Sequence, residues 1–176
     1  MKSQTVLLLL LSIAATSCLF HKEPAVPGVL PKEAAKALDD KYPGWTLAEF
    51  SGGDAACSTR AGSSPTQVND DFNTDGFGDW ALELHQGDSV KLVVVMGWLA
   101  DFRVYEIESA QTDKAARFLT HLKRGTKYIN PVTQSDEYLS HNSLVTQSCA
   151  GDQVFYLWNG DGFRKLVPAK APAPGR

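Results

Sequence analysis

Nine residues, Asp71-Phe72-Asn73-Thr74-Asp75-Gly76-Phe77-Gly78-Asp79, restrict what this chain can fold into more than any other stretch. Oxygen-bearing side chains stand at alternate places (Asp71, Asn73, Asp75) and again at Asp79, with Gly76 at the bend. Three carboxylates packed into one turn repel each other unless a cation sits among them. Hard oxygen donors around a glycine-permitted bend are the donor set of a calcium loop. The expected ligands are the side chains of Asp71, Asn73, Asp75 and Asp79 and the backbone carbonyl of Phe77. Magnesium suits such a site less well, because it holds on to its waters.

The loop runs directly into Trp80-Ala81-Leu82-Glu83-Leu84-His85. Trp80, Leu82 and Leu84 share one face and Ala81, Glu83 and His85 the other, which predicts a half-buried strand. That strand excludes an EF-hand, which needs a helix there. The place of the EF-hand's bidentate glutamate is taken by Leu82, with Glu83 one residue late. A remote acidic side chain or a water has to complete the shell.

Around this centre the pattern is mostly β. Gly87-Asp88 marks a turn, and residues 90–99 form an almost unbroken, β-branched apolar run that reads as a buried central strand. Residues 102–108 follow as the next strand of an antiparallel meander. Strands are also expected at 45–50 and 144–149; residues 117–122 fit helix or strand, with strand preferred; and a hairpin at 154–158 and 163–167 turns on Asn159-Gly160-Asp161-Gly162. Ahead of them, Pro31-Lys32-Glu33 opens a helix whose apolar face is Ala34, Ala35, Leu38 and Tyr42, and Pro43-Gly44 closes it. Residues 51–65 and 130–142 read as loops. The expected fold is thus α+β and mostly β: one N-terminal helix, then an antiparallel meander of about six to seven strands.

The ends of the chain read differently. Met1-Lys2 and the apolar run at 6–15 are too short for a bilayer span and form a signal peptide over residues 1–17. Ala15-Thr16-Ser17-Cys18 resembles a bacterial lipobox, which would put a lipid on Cys18. Cleavage at an ordinary Ala-x-Ser site is the alternative. Leu19 after the cysteine, by the sorting habit of such lipoproteins, points to the outer membrane, facing the periplasm. Residues 18–31, with three prolines and a glycine, make a tether; 32–167 form one domain; 168–176 form a disordered tail. Cys57 and Cys149 remain, and in an oxidising compartment they are expected to pair rather than stay as buried thiols. Closing so long a loop is worth roughly 4 kcal/mol.

Composition narrows the function classes. A net charge of −3 leaves no basic footprint for nucleic acid. His85, His121 and His141 stand in no zinc spacing, and no nucleophile elbow or phosphate loop is present, so no enzyme is expected; the alternative is a hydrolase that uses the metal of the loop. Trp45, Trp80, Trp98 and Trp158 lie in or beside expected strands, where core packing explains them better than a ligand surface does.

The stretch Asp71 to Leu82 resembles the calcium loop of FG-GAP/VCBS-type (integrin α-like) proteins, in particular small exported bacterial proteins with a single copy. The ending Phe155-Tyr156-Leu157-Trp158-Asn159-Gly160-Asp161-Gly162-Phe163 is similar to their closing hairpin. The resemblance implies calcium held by Asp71, Asn73, Asp75, Phe77 and Asp79. With one copy of the loop, a full propeller and integrin-like adhesion do not follow. The expected function is a lipid-anchored envelope domain that binds a protein or glycan partner; the alternative is an inhibitor or accessory subunit of a hydrolase.

Overall fold

The computed structural model describes residues 30–167 apart from 53–54, 100, 113–114 and 116. The expected signal peptide, the expected lipid attachment at Cys18, nearly all of the expected tether and the tail at 168–176 lie outside the described residues.

Helix α1 (Lys32–Lys41) starts after Pro31, with Glu33 in its first turn and Lys41 in its last, both complementing the helix dipole. Ala34, Leu38 and Tyr42 form its buried face. They cover one side of a five-stranded antiparallel sheet built on β3 (Asp79–Gln86), β4 (Ser89–Trp98) and β5 (Asp101–Ala110). The short β1 (Thr46–Leu47) and β2 (Gln67–Asp70) share the outer edge of β3. A second antiparallel sheet contains β6 (Arg117–Leu122), β9 (Ser143–Ser148), β10 (Gln153–Trp158) and β11 (Phe163–Leu166), in the order β11-β10-β9-β6. A ribbon of β7 (Lys127–Ile129) and β8 (Asp136–Tyr138) is separate.

Two apolar interfaces join these layers. Trp80, Leu82, Leu84, Val93 and Val95 face α1. Ala81, Leu92, Val94 and Met96 face the second sheet, where they meet Phe72, Leu119, Leu144 and Tyr156. β4 is therefore sealed on both sides, as its β-branched run requires. Beyond the second sheet, Val145, Phe155 and Leu166 form a further cluster onto which Tyr128 of the ribbon packs.

The mostly β reading and the disulfide hold. Cys57 and Cys149 are bonded, and Arg60 Nη2 donates to the Cys149 carbonyl at 2.7 Å beside the link. Several details differ from the sequence reading. Among the described residues there are eleven strands in two sheets and a ribbon, not one meander of six or seven. The segment read as loop at 51–65 contains a second helix, α2 (Ala55–Ala61), which its alanines favour and Gly62 ends with φ +74°. β2 and β8 went unread because their residues are mostly polar, and β7 because it is only three residues long; pairing with neighbours, not burial pattern, makes them strands.

β3 is buried on both faces, not half-buried: Glu83 is 1% exposed. It lies between the sheets because Arg117 reaches across to it, Nε to Oε1 at 2.8 Å, while Arg117 Nη1 holds Glu108 at 2.7 Å. Burial pushes the Glu83 carboxyl up against the pull of Arg117, and the two carboxylates keep the guanidinium firmly charged despite its own burial. The backbone of Glu83 also marks the edge change, its N–H reaching the Thr66 carbonyl and its carbonyl accepting from the Ala48 N–H.

Removing Arg117 leaves Glu83 charged and unpartnered in the interior. Arg117→Met is expected to lower unfolding free energy by about 3 kcal/mol, and adding Glu83→Leu to recover most of the loss. Urea unfolding of both variants checks this; a double variant no more stable than the single one would contradict it.

Candidate metal centre

The loop between β2 and β3 is shaped by its own oxygen atoms. Asp71 accepts from the Asp75 N–H at 3.1 Å and from the Gly76 N–H at 2.9 Å. Asn73 Oδ1 also accepts from the Asp75 N–H, at 3.1 Å, and Asp75 Oδ1 accepts from the Phe77 N–H at 2.8 Å. The side chains of Asp71, Asn73 and Asp75 are thereby turned back onto the N–H groups of their own bend, with Asp75 still exposed to solvent. The bend needs left-handed backbone at Thr74 (φ +59°) and Gly76 (φ +90°). Threonine accepts that geometry at a cost, and glycine adopts it freely.

Asp79 closes the loop and is 0% exposed. Its Oδ2 accepts from the Phe72 N–H at 2.7 Å and its Oδ1 from the Gly97 N–H at 3.0 Å. One carboxylate therefore ties the start of the loop to the end of β4. Burial pushes its pKa up to about 7; the two N–H donors oppose the rise and the charges of Asp75 and Asp71 add to it. The three carboxyl groups thus act on one another across the loop. Each ionised carboxylate has about four lone-pair directions, so the hydrogen bonds already made leave capacity for a cation.

Gly97 is a glycine for steric reasons: a Cβ there would stand 2.7 Å from the Gly78 carbonyl oxygen and 3.3 Å from the Phe77 Cβ. Phe77 is consequently held against β4. Phe72 is fully buried and meets Phe163 edge-to-face at 6.4 Å. The loop therefore touches the closing hairpin. There Asn159 Oδ1 caps the turn by accepting from the N–H groups of Asp161 and Gly162, so this second Asn/Asp-Gly segment is a turn held by its own asparagine.

Of the expected site residues, Asp71, Asn73, Asp75, Phe77 and Asp79 are gathered in one loop, and Cys57 and Cys149 are joined. Glu83 is directed away, to Arg117, and supplies nothing to the loop. Two supporting residues escaped the sequence reading. Asn142 Nδ2 donates to the Asp71 carbonyl and to Asp70 Oδ1, both at 2.9 Å, linking the loop to the second sheet. Gly97 had a readable signal, since an isolated glycine inside a strand often marks close backbone approach; Asn142, in a polar stretch, had none. Among the described residues no group of three or more His, Cys, Asp or Glu side chains forms a ready-made metal cluster. A cation in this loop would depend on a mixed set, with an amide oxygen and a backbone carbonyl beside the carboxylates.

Compared with known family models, curated proteins and solved structures, the chain matches none.

Asp79→Asn keeps the size of the side chain but places an amide NH2 against one of the two buried N–H groups. It is expected to cost about 2 kcal/mol of stability, read from denaturant midpoints. A loss confined to a few tenths would show that Asp79 does not anchor the loop.

Proposed function

We propose that this domain is a calcium-stabilised, lipid-anchored module of the bacterial cell envelope that works by binding a partner. The observation that carries the calcium part is the inward turn of the Asp71, Asn73 and Asp75 oxygens around the Gly76 bend. Asp71, Asn73, Asp75, Asp79 and the Phe77 carbonyl would hold the ion, a hard-oxygen set suited to calcium. Its work there is structural: it neutralises carboxylates that otherwise repel, and so fixes the junction of β2, β3 and β4. The Cys57–Cys149 bond supports export, because such bonds persist in oxidising compartments. The anchor at Cys18 and the outer-membrane address rest on the sequence, as does the absence of catalytic machinery.

Calorimetric titration of calcium into chelator-stripped protein tests the reading. Binding at roughly micromolar to millimolar strength, a higher melting temperature, and loss of both in Asp71→Ala are expected. Absence of heat and of any thermal shift would reduce the stretch to a turn.

One observation favours a second reading, an inhibitor or accessory subunit of a hydrolase. Between β7 and β8, Asn130 Oδ1 accepts from the Val132 and Thr133 N–H groups, and Gln134 Nε2 donates to the Pro131 carbonyl. The bracing holds Val132 out at 85% exposure, a shape able to enter another protein's cleft at small entropic cost. Under this reading a hydrolase co-purifies with the chain and escapes inhibition by Val132→Arg. Unchanged inhibition by that variant would remove this loop from the interface.

A further inference from the structure

Two adjacent apolar residues stand in solvent where β4 turns into β5: Trp98 is 39% exposed and Leu99 71%. A single exposed leucine is ordinary, but Leu99 also holds φ at +49°. That left-handed backbone is uncommon for a bulky side chain, and here no burial repays it. Glycine would make the same turn without strain, and backbone strain of this kind collects at functional sites. Arg103 lies over the Trp98 ring, its guanidinium 4.9 Å from the ring centre. No carboxylate among the described residues forms an ion pair with it. Asp101 is exposed beside them, one oxygen accepting from the Phe102 N–H at 2.8 Å. The tip thus presents a ring, an aliphatic chain, a cation and an anion together.

Helix α1 shows which end of the fold this is. Tyr42, directly after its last residue, donates its hydroxyl to Glu106, midway along β5, at 2.8 Å. Trp80, Val95 and Phe102 of the interface under the helix lie from there toward the β4–β5 turn. The ten-residue helix is about 15 Å long, close to the roughly 13 Å from Glu106 to Phe102. To bury Ala34 and Leu38 in that interface, α1 runs back toward the turn. The chain ahead of Leu30 therefore leaves the fold at the end that carries Trp98 and Leu99. Cys18 stands twelve residues ahead of Leu30, a reach of at most about 40 Å.

These side chains suit the surface of a bilayer. Tryptophan settles at headgroup level, and arginine keeps its charged head at the phosphates while its stem lies in apolar surroundings. Asp101 and the carboxylates of the neighbouring loop, which Asp79 ties to Gly97, repel an anionic layer. A zwitterionic layer offers them ammonium groups. We propose that the β4–β5 tip rests in the headgroup region of a zwitterionic phospholipid layer, with Trp98 and Leu99 inserted and Arg103 on a phosphate. The proposal rests on the reading of the domain as a lipid-anchored binding module, and makes the membrane the partner of this end.

Fluorescence quenching tests it. The full chain, purified as a bacterium processes it, is combined in calcium-free buffer with vesicles of phosphatidylethanolamine and acyl-brominated phosphatidylcholine. Trp98→Phe is the reference for the other tryptophans. The brominated lipid is expected to quench the wild-type chain beyond that reference. Leu99→Asp is expected to remove the excess at an unchanged melting temperature, and added phosphatidylglycerol to reduce it. No excess quenching, an excess that Leu99→Asp leaves intact, or one that phosphatidylglycerol raises would overturn the proposal. Self-association in vesicle-free buffer that Leu99→Asp abolishes would also overturn it, giving the tip to a second copy of the chain. Mass spectrometry of the processed chain reads the anchor separately. Lipid on Cys18 without excess quenching rejects the tip and leaves the anchored module; excess quenching without that lipid rejects the anchor and leaves the tip.

Discussion

Asp79 accepts one backbone N–H on each carboxylate oxygen, from Phe72 and from Gly97, in a place without solvent. Those two donors belong to segments far apart in the chain, the opening of the loop and the end of β4. Without the carboxylate, both amides would be buried and unpaired. The position of Phe72 between the sheets, and through it the contact with Phe163, follows from this clamp. So does the inward bend of Asp71, Asn73 and Asp75, because a loop fixed at both ends has to turn back on itself. Three negative charges are drawn together as a result. A cation at the bend would remove the repulsion that this arrangement creates.

Much of this was legible from residues alone. The β-branched run at 90–99 could only be a strand sealed on both faces, and the Ala34, Leu38, Tyr42 stripe could only be the buried side of a short helix. Cys57 and Cys149 were the remaining cysteines once Cys18 was assigned to the export signal. The loop's oxygens and its glycine imply the bend by themselves. What stayed hidden depended on partners distant in sequence. Glu83 reads as an exposed residue of an alternating strand until Arg117 is placed opposite it. Gln67 to Asp70 has a single apolar side chain, and becomes a strand because β3 presents a free edge. Asn142 sits in a stretch of polar residues that gives no hint of its two bonds to the loop.

The tryptophans illustrate the same division. Core packing was expected for all four; Trp80 is buried and meets Phe102 edge-to-face, while Trp158 packs with Tyr105 and Phe163. Trp98 departs from it: at 39% exposure it lies beside the β4–β5 turn, with the Arg103 guanidinium 4.9 Å from its ring centre. A sequence pattern reports that a residue lies in a strand. It does not report that the strand outruns the layer covering it, and at the end of β4 it does.

The two buried acids of β3 also explain why this sheet has a single register. Asp79 and Glu83 project from the same face as Ala81; Asp79 is met by the Gly97 amide of the neighbouring β4, and Glu83 by the Arg117 guanidinium of the second sheet. A slip of one residue would turn both acids to the opposite face. That face is closed by Ala34, Leu38 and Tyr42, whose one side-chain donor, the Tyr42 hydroxyl, is already given to Glu106. The slipped sheet would bury two unpaired carboxyl groups, each costing several kcal/mol, and would move Trp80, Leu82 and Leu84 away from α1. Apolar side chains in place of the Glu83–Arg117 pair would pack at least as tightly, since an ion pair in the interior gives little net stability. It would also tolerate the slipped pairing far better. The charges in this core thus act through the alternatives they penalise, and the loop, which begins at the same strand, takes its geometry from the register they enforce.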